Sequence, residues 1–236
     1  MLINCIWEHN GNDTLLYAEN PAGAFARGAS LEEAIAKMPQ EICSFLKWQG
    51  GLVPQSVEIQ IVQEKRSDLD ICDADSDVLF ESEIEPLTRH EYEELKTLVL
   101  RSAGDFEKLY YSIPDTNQSC LLARKTFYGS VPRTAQEMYE HTKNVTAYYF
   151  GEIGVDTENG DNVLSAREAA FQKLEQQPDY LQNKIFSGSY GEEWTLRKVF
   201  RRFLWHDRIH AKALYRMACK TFPDASIPNI FAFQIN

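Results

Sequence analysis

The sequence has few cysteines, no cysteine pair and no long apolar run. Its five cysteines are far apart: Cys5, Cys43, Cys72, Cys120 and Cys219. This spacing and the odd count argue against a disulfide framework and against a zinc site built from thiolates. No stretch approaches the roughly 18 consecutive apolar residues of a membrane span, so no transmembrane helix is predicted.

Several functional motifs are also missing. The sequence contains no glycine-rich phosphate loop, no Ser-His-Asp order and no dinucleotide fingerprint. Residues 1–8 lack the basic start and the small-residue cleavage site of a secretory signal, so we expect a cytoplasmic protein. The patterns assign no general acid, base or nucleophile.

Positive charge is scarce in the first third of the chain. The 236 residues carry a net charge of -11. Residues 1–86 hold 5 Lys/Arg against 16 Asp/Glu, whereas residues 87–236 hold 19 of each. This step predicts two domains, 1–86 and 87–236. The acidic first part would repel phosphates, so nucleic acid is not an expected partner.

Alternating and apolar segments in residues 1–86 predict a small α+β domain. The expected strands are Leu2–Trp7, Thr14–Ala18, 24–28 and Ser56–Val62, with a helix over Leu31–Trp48. This order predicts one helix packed on an antiparallel sheet.

Helical periodicity dominates residues 87–236. Four helices are predicted, at about 89–111, 134–152, 165–177 and 193–220, and they favour an all-α four-helix bundle. Capping boxes predict three helix starts, at Ser30 with Glu33, Thr88 with Glu91 and Ser165 with Glu168. Pro39 lies inside the first predicted helix and should kink it or end its first part.

Three histidines fall on the predicted inner faces of two helices. His206 and His210 are one turn apart on the last helix, in a stripe with Phe203 and Met217, and His141 lies on the second bundle helix. Buried imidazoles need partners for their nitrogens, either hydrogen bonds in an ordinary core or a metal ion. A three-histidine site leaves coordination positions open and suits zinc, nickel, iron or copper.

Two carboxylates are candidates for orienting these histidines. Glu137 lies one turn before His141, and Asp207 follows His206, so both are predicted as second-layer hydrogen-bond acceptors. Aromatic residues Tyr148, Tyr149 and Trp205 either line the pocket or belong to the core.

Residues 16–35 carry a pattern seen in one antitoxin family. The segment reads LYAENPAGAFARGASLEEAI, with a strand, a proline-glycine bend, a second strand and a capped helix. It resembles the HicB-type antitoxin domain. The resemblance implies a module that binds a protein partner and is not itself catalytic.

Two further segments carry the three histidines. Residues 134–141 read TAQEMYEH and residues 203–210 read FLWHDRIH. Together they resemble the DinB superfamily, which implies a four-helix bundle, often dimeric, with a divalent metal on His141, His206 and His210. Some such proteins are thiol-dependent transferases or hydrolases that use bacillithiol, mycothiol or glutathione.

Two functional hypotheses follow from these resemblances. The first is a metal-dependent thiol S-transferase or hydrolase, acting as a homodimer on a thiol and an electrophile, with zinc or nickel expected before iron. The second is a non-enzymatic stress or regulatory protein whose HicB-like domain binds a protein partner. The HicB-like extension is absent from most DinB-like bundles, which leaves both hypotheses open at this point.

Overall fold

The computed structural model describes residues 1–126 and 129–234 of an α+β protein. A four-stranded sheet comes first and helices make up most of the remainder. The sheet strands are β1 (Leu2–His9), β2 (Thr14–Ala18), β3 (Phe25–Gly28) and β4 (Glu58–Arg66), with helix α1 (Leu31–Gln49) between β3 and β4. Two-residue ladders form β5 (Lys125–Thr126) with β6 (Gly129–Ser130), and β7 (Phe186–Ser187) with β8 (Glu193–Trp194).

The sheet is mixed, which corrects the prediction of a wholly antiparallel one. Its order is β3-β2-β1-β4, and β4 runs parallel to β1 with Leu2 opposite Glu58 and His9 opposite Arg66. The reason is topological. Strand β3 runs parallel to β1, and α1 carries the chain across one face of the sheet, so the strand after the helix starts again from the same end.

Local signals set the ends of α1. The Ser30 side chain accepts a hydrogen bond from the Glu33 backbone N–H, as predicted. At the other end Gly50 has φ 81° and donates its N–H to the carbonyls of Leu46 and Lys47. The helix runs through Pro39 without ending there.

The later helices follow the predicted order with two differences. Their bounds are α2 (Arg89–Tyr111), α3 (Ala135–Lys143), α4 (Thr146–Gly151), α5 (Val163–Leu174) and α6 (Leu196–Thr221). The second predicted helix is broken at Asn144 and Val145, where the Asn159 side chain accepts from the Ala147 backbone N–H and supplies α4 with its own N-terminal partner. Helix α5 starts earlier than predicted because Asn162, not Ser165, is its cap.

Helix α6 packs against three of the other helices. It contacts α2, α3 and α4 on its helical side. The four-helix bundle as such stays a prediction. None of the helices in residues 1–126 and 129–234 is both long and apolar enough to cross a membrane.

The other side of α6 covers the sheet face opposite α1. Trp205 packs edge-on against Tyr17 and Phe25, with ring centroids 5.8 and 6.2 Å apart. The main core also contains residues from both sides of the predicted boundary at 86/87, such as Phe45 and Phe106. The two parts are therefore packed together, and the boundary itself stays a prediction.

Cations of α6 are buried against the acidic first part of the chain. Arg201 donates to both carboxylate oxygens of Glu83 at 2.5 and 2.9 Å, and Arg208 donates to Glu41. Lys198 donates to the Asp77 carbonyl at 2.9 Å. The charge step in the sequence thus corresponds to an interface, because α6 supplies the positive charge that residues 1–86 lack.

Candidate metal centre

His206 and His210 lie one helical turn apart on α6. Residues at i and i+4 project from the same face of a helix, and the two ring centroids are 4.4 Å apart. Buried Phe203 precedes them on this face. The apolar stripe that buries α6 therefore also carries the two imidazoles inward.

His141 lies in the last turn of α3, opposite this pair. A capping box between Thr134 and Glu137 fixes the start of α3. Packing of α3 on α6 brings the His141 ring close to His206 and His210. The His141 centroid is 5.1 Å from that of His206 and 4.6 Å from that of His210. The structure brings all three predicted histidines together.

The nitrogen positions fit a small metal ion. One ligand nitrogen from each of the three rings lies within 4.8 Å of the others. The Nε2 atoms of His141 and His206 are 3.2 Å apart. Two nitrogens about 2.0–2.1 Å from a tetrahedral zinc lie about 3.3–3.4 Å from each other, so this separation suits joint ligation. A direct hydrogen bond between the two rings accounts for the same distance without an ion.

The cluster is open to solvent on one side. His206 is buried and His210 half-buried, whereas His141 is exposed. Three protein ligands leave a fourth tetrahedral position for water or a small molecule, as in catalytic zinc sites and unlike four-ligand structural sites.

The surroundings of the three imidazoles favour their neutral form, because each pKa is lowered. Desolvation lowers the pKa of His141, and desolvation together with the neighbouring histidines lowers the pKa of His206 well below its usual value. The pKa of His210 falls to about 3, through desolvation first and then the charges of His141 and Arg27. Neutral imidazole is the form that ligates a metal, so the centre is prepared for one near pH 7.

The two carboxylates predicted to orient the histidines are bonded elsewhere. Glu137 accepts from the backbone N–H groups of Arg133 and Thr134 at 2.7 and 3.1 Å, because it completes the α3 capping box. Asp207 is turned about 100° around α6 from His206, and it accepts from Arg167 at 2.6 Å. Glu137 therefore caps α3 and Asp207 is the counterion of Arg167, so neither carboxylate is available to orient a histidine.

The Arg167–Asp207 pair is a feature that the sequence reading missed. Both side chains are fully buried, and Ser102 of α2 donates to the same carboxylate at 2.7 Å. The guanidinium also lies over the Phe203 ring, 4.3 Å from its centroid. The pair joins α2, α5 and α6 directly behind the histidines. Its sequence signal is an arginine among the buried alanines of α5.

The three aromatic residues that the sequence leaves open between pocket lining and core differ in their contacts. Tyr149 stands perpendicular to the His206 ring, with centroids 6.1 Å apart. Trp205 instead faces the sheet, and Tyr148 contacts Tyr149 and Trp194. The buried Nδ1 of His206 has no hydrogen-bond partner among the described residues. Ring packing therefore orients His206.

The remaining histidines lie outside the cluster. His9 stacks on Trp7 and pairs with Glu64, and His90 is exposed beside Glu94.

Comparison with known proteins returns nothing that identifies the chain. No protein-family model matches it, and no significant match is found among curated proteins or solved structures. The DinB-like and HicB-like resemblances accordingly depend on their motifs alone.

Proposed function

We propose that His141, His206 and His210 hold a divalent metal ion, with zinc or nickel favoured over iron. The observation that carries the proposal is the convergence of three ring nitrogens within 4.8 Å of one another. Their neutral state and the exposure of His141 support it further. Imidazole donors suit all three metals.

We propose further that the centre serves a thiol-dependent S-transferase or hydrolase. A bound divalent ion would lower the pKa of a thiol or water ligand towards neutrality. The three neutral histidines would leave the double positive charge of the ion undiminished. His141 leaves the approach open for a low-molecular-weight thiol and an electrophile, and the Arg167–Asp207 pair holds α6 in position behind them.

The second candidate function is a non-enzymatic regulatory or stress protein. One observation favours it: β4 lies at the edge of the sheet, where a partner protein can add a strand. In this hypothesis the HicB-like part binds a protein and the histidines hold only a structural metal. We propose a homodimer and a cytoplasmic location, both expected from the sequence, for either candidate function.

Metal binding by the full chain tests the first step. Chelator-treated protein should take up about one equivalent of zinc or nickel, and His206→Ala and His141→Ala should each weaken uptake about 10-fold or more. His90→Ala is the matched control, since that histidine is exposed on α2, and it should bind like the wild type. Wild-type protein that takes up no zinc, nickel or iron would remove the proposal's basis.

Turnover separates the two functions. Metal-loaded protein is incubated with glutathione or bacillithiol and an aryl halide, and loss of the free thiol is followed. Metal-dependent loss that disappears in His206→Ala supports the enzyme. Metal binding without turnover, together with a protein partner that copurifies through residues 1–86, supports the regulatory protein.

A further inference from the structure

A cavity of about 410 Å³ lies between β3, α1 and the C-terminal half of α6. Four of its lining residues are cations, Arg27, Lys37, Lys212 and Arg216, and only Glu41 is an acid. The cavity is lined by none of the three histidines. It is therefore a separate feature of the molecule from the candidate metal centre.

The local charge is opposite to that of the chain. The protein carries a net charge of -11, and two of the four cations, Arg27 and Lys37, come from the acidic first 86 residues. Cations around one cavity repel each other unless nearby negative charges offset the repulsion. Their grouping here creates a local positive potential on a protein of negative net charge.

The single carboxylate in the cavity does not offset these cations. Glu41 is buried, and one of its oxygens accepts from Arg208, which lies behind the cavity wall. The other accepts from Lys212 at 3.1 Å. Glu41 therefore pairs with none of Arg27, Lys37 and Arg216.

Most donors of the three remaining cations are free. Arg216 is exposed and forms no hydrogen bond or ion pair with any described residue. Arg27 makes one long hydrogen bond, from Nη1 to the Cys72 carbonyl at 3.4 Å. Lys37 donates to the Arg27 carbonyl and to the exposed Glu33. Each guanidinium has five N–H donors in a fork that matches a carboxylate, so both arginines can bind an anion by donating hydrogen bonds to it.

The uncharged lining suits an organic molecule. Gln40 and Gln234 add amide groups, and Phe25 adds an apolar wall. Ligand pockets commonly combine an apolar surface with a few polar groups in this way. The cations come from three different elements around a space much larger than one inorganic ion. A molecule with several separated negative groups can reach them together.

A second, larger cavity has the opposite balance of charged residues. It measures about 800 Å³, and its lining carries five glutamates against three arginines. Two of those arginines, Arg197 and Arg201, are already paired with Glu91 and Glu83. A negatively charged ligand is therefore attracted to the smaller cavity and not to the larger one.

We infer that the cavity between β3, α1 and α6 binds a small organic polyanion carrying two or more carboxylate groups, held by Arg27, Lys37 and Arg216. Binding at this site does not depend on the metal centre.

Citrate is the probe for this inference. Metal-free full-length protein is titrated calorimetrically with citrate at low ionic strength, with inorganic phosphate as a compact single-group anion. We expect saturable binding of one citrate per chain, tighter than phosphate and weakened by added salt. Arg216→Gln should weaken citrate binding about 10-fold or more, because it removes a charge-assisted hydrogen-bond donor.

Two control variants make the result specific. Lys220→Gln removes the same charge one turn further along α6, outside the cavity, and should leave citrate binding unchanged. His206→Ala should weaken metal uptake and leave citrate binding intact, which keeps a failure of the metal proposal distinct from a failure of this one. Absence of saturable citrate binding, or equal binding by wild type and Arg216→Gln, overturns the inference.

Discussion

Arg167 and Asp207 form a two-armed ion pair, with both N–O distances at 2.6 Å, on the residue next to His206. Neither side chain is accessible to solvent. Breaking a buried pair leaves an uncompensated charge and costs about 3–5 kcal/mol. We therefore predict that Asp207→Asn lowers the free energy of unfolding by about that amount, measured by urea denaturation.

The double variant Arg167→Met, Asp207→Leu tests whether the loss of stability comes from leaving one buried charge unpaired. Replacing both charges with apolar groups should recover most of the stability, since buried pairs contribute little net energy. A loss of stability equal to the sum of the losses in Arg167→Met alone and Asp207→Leu alone would contradict the prediction.

Gly23 contacts α6 in a way that leaves no room for a side chain. Its φ is 92°, and a Cβ there would lie 2.5 Å from the Cβ of Leu204. Gly23→Ala should therefore force the 20–23 bend away from α6 and destabilise the fold by about 2 kcal/mol or more. Thermal unfolding measures the effect.

Gly50 provides the control for this substitution. It also has a positive φ, 81°, but an added Cβ meets nothing within 4 Å. Gly50→Ala should cost only the backbone strain, about 1 kcal/mol. Equal losses for the two variants would show that contact with Leu204 is not what requires glycine at position 23.

The histidine cluster should make the metal-free protein sensitive to acid. The pKa of His210 is about 3 in the folded chain, against an ordinary value of 6.5. Between these values the unfolded state binds the additional proton, so the free energy of unfolding falls as pH falls from 6.5 towards 3. One such group contributes a slope of at most about 1.4 kcal/mol per pH unit.

His210→Gln removes this titration and should flatten the stability profile over that window. Urea denaturation of chelator-treated wild type and variant, at pH 7, 6, 5 and 4, measures the difference. His90→Gln should leave the profile unchanged. Parallel profiles for wild type and His210→Gln would show that this imidazole is not kept neutral by the fold.

Glu91 should lose its contribution to stability at a lower pH than His210. Its pKa is about 2, against 4.5, chiefly through hydrogen bonds from the Thr88 backbone and hydroxyl and then from Arg197. The stability it contributes is present above 4.5 and lost as pH falls from 4.5 towards 2. Because the side chain is partly exposed, we expect Glu91→Gln to cost less than about 1 kcal/mol at pH 7.

The difference between Glu91→Gln and wild type should disappear near pH 2, as followed by thermal unfolding. Glu93→Gln, on the same helix turn, removes the same charge without the capping box. A constant difference at all pH values would contradict the assignment, since glutamine still accepts the capping hydrogen bonds.

Features set by neighbouring residues could be predicted from the sequence. The α2 bounds and its Thr88–Glu91 capping box are as predicted, because a cap and its partner are three residues apart. The positions of His206 and His210 on one face of α6 follow from helical spacing alone. That His141 reaches them depended on a predicted packing of two helices, which the structure confirms.

Features that require a distant partner were decided only by the tertiary structure. Asp207 looks like a neighbour of His206 in the sequence, but the 100° step between adjacent helix residues turns it towards Arg167, 40 residues earlier. The parallel pairing of β4, the Asn159 partner that lets α4 begin anew, and the burial of Arg201 and Arg208 have the same origin. Periodicity shows which face of an element is apolar. It cannot show that a charged face meets an opposite charge elsewhere in the chain, and that pairing is what unites the acidic first part with α6.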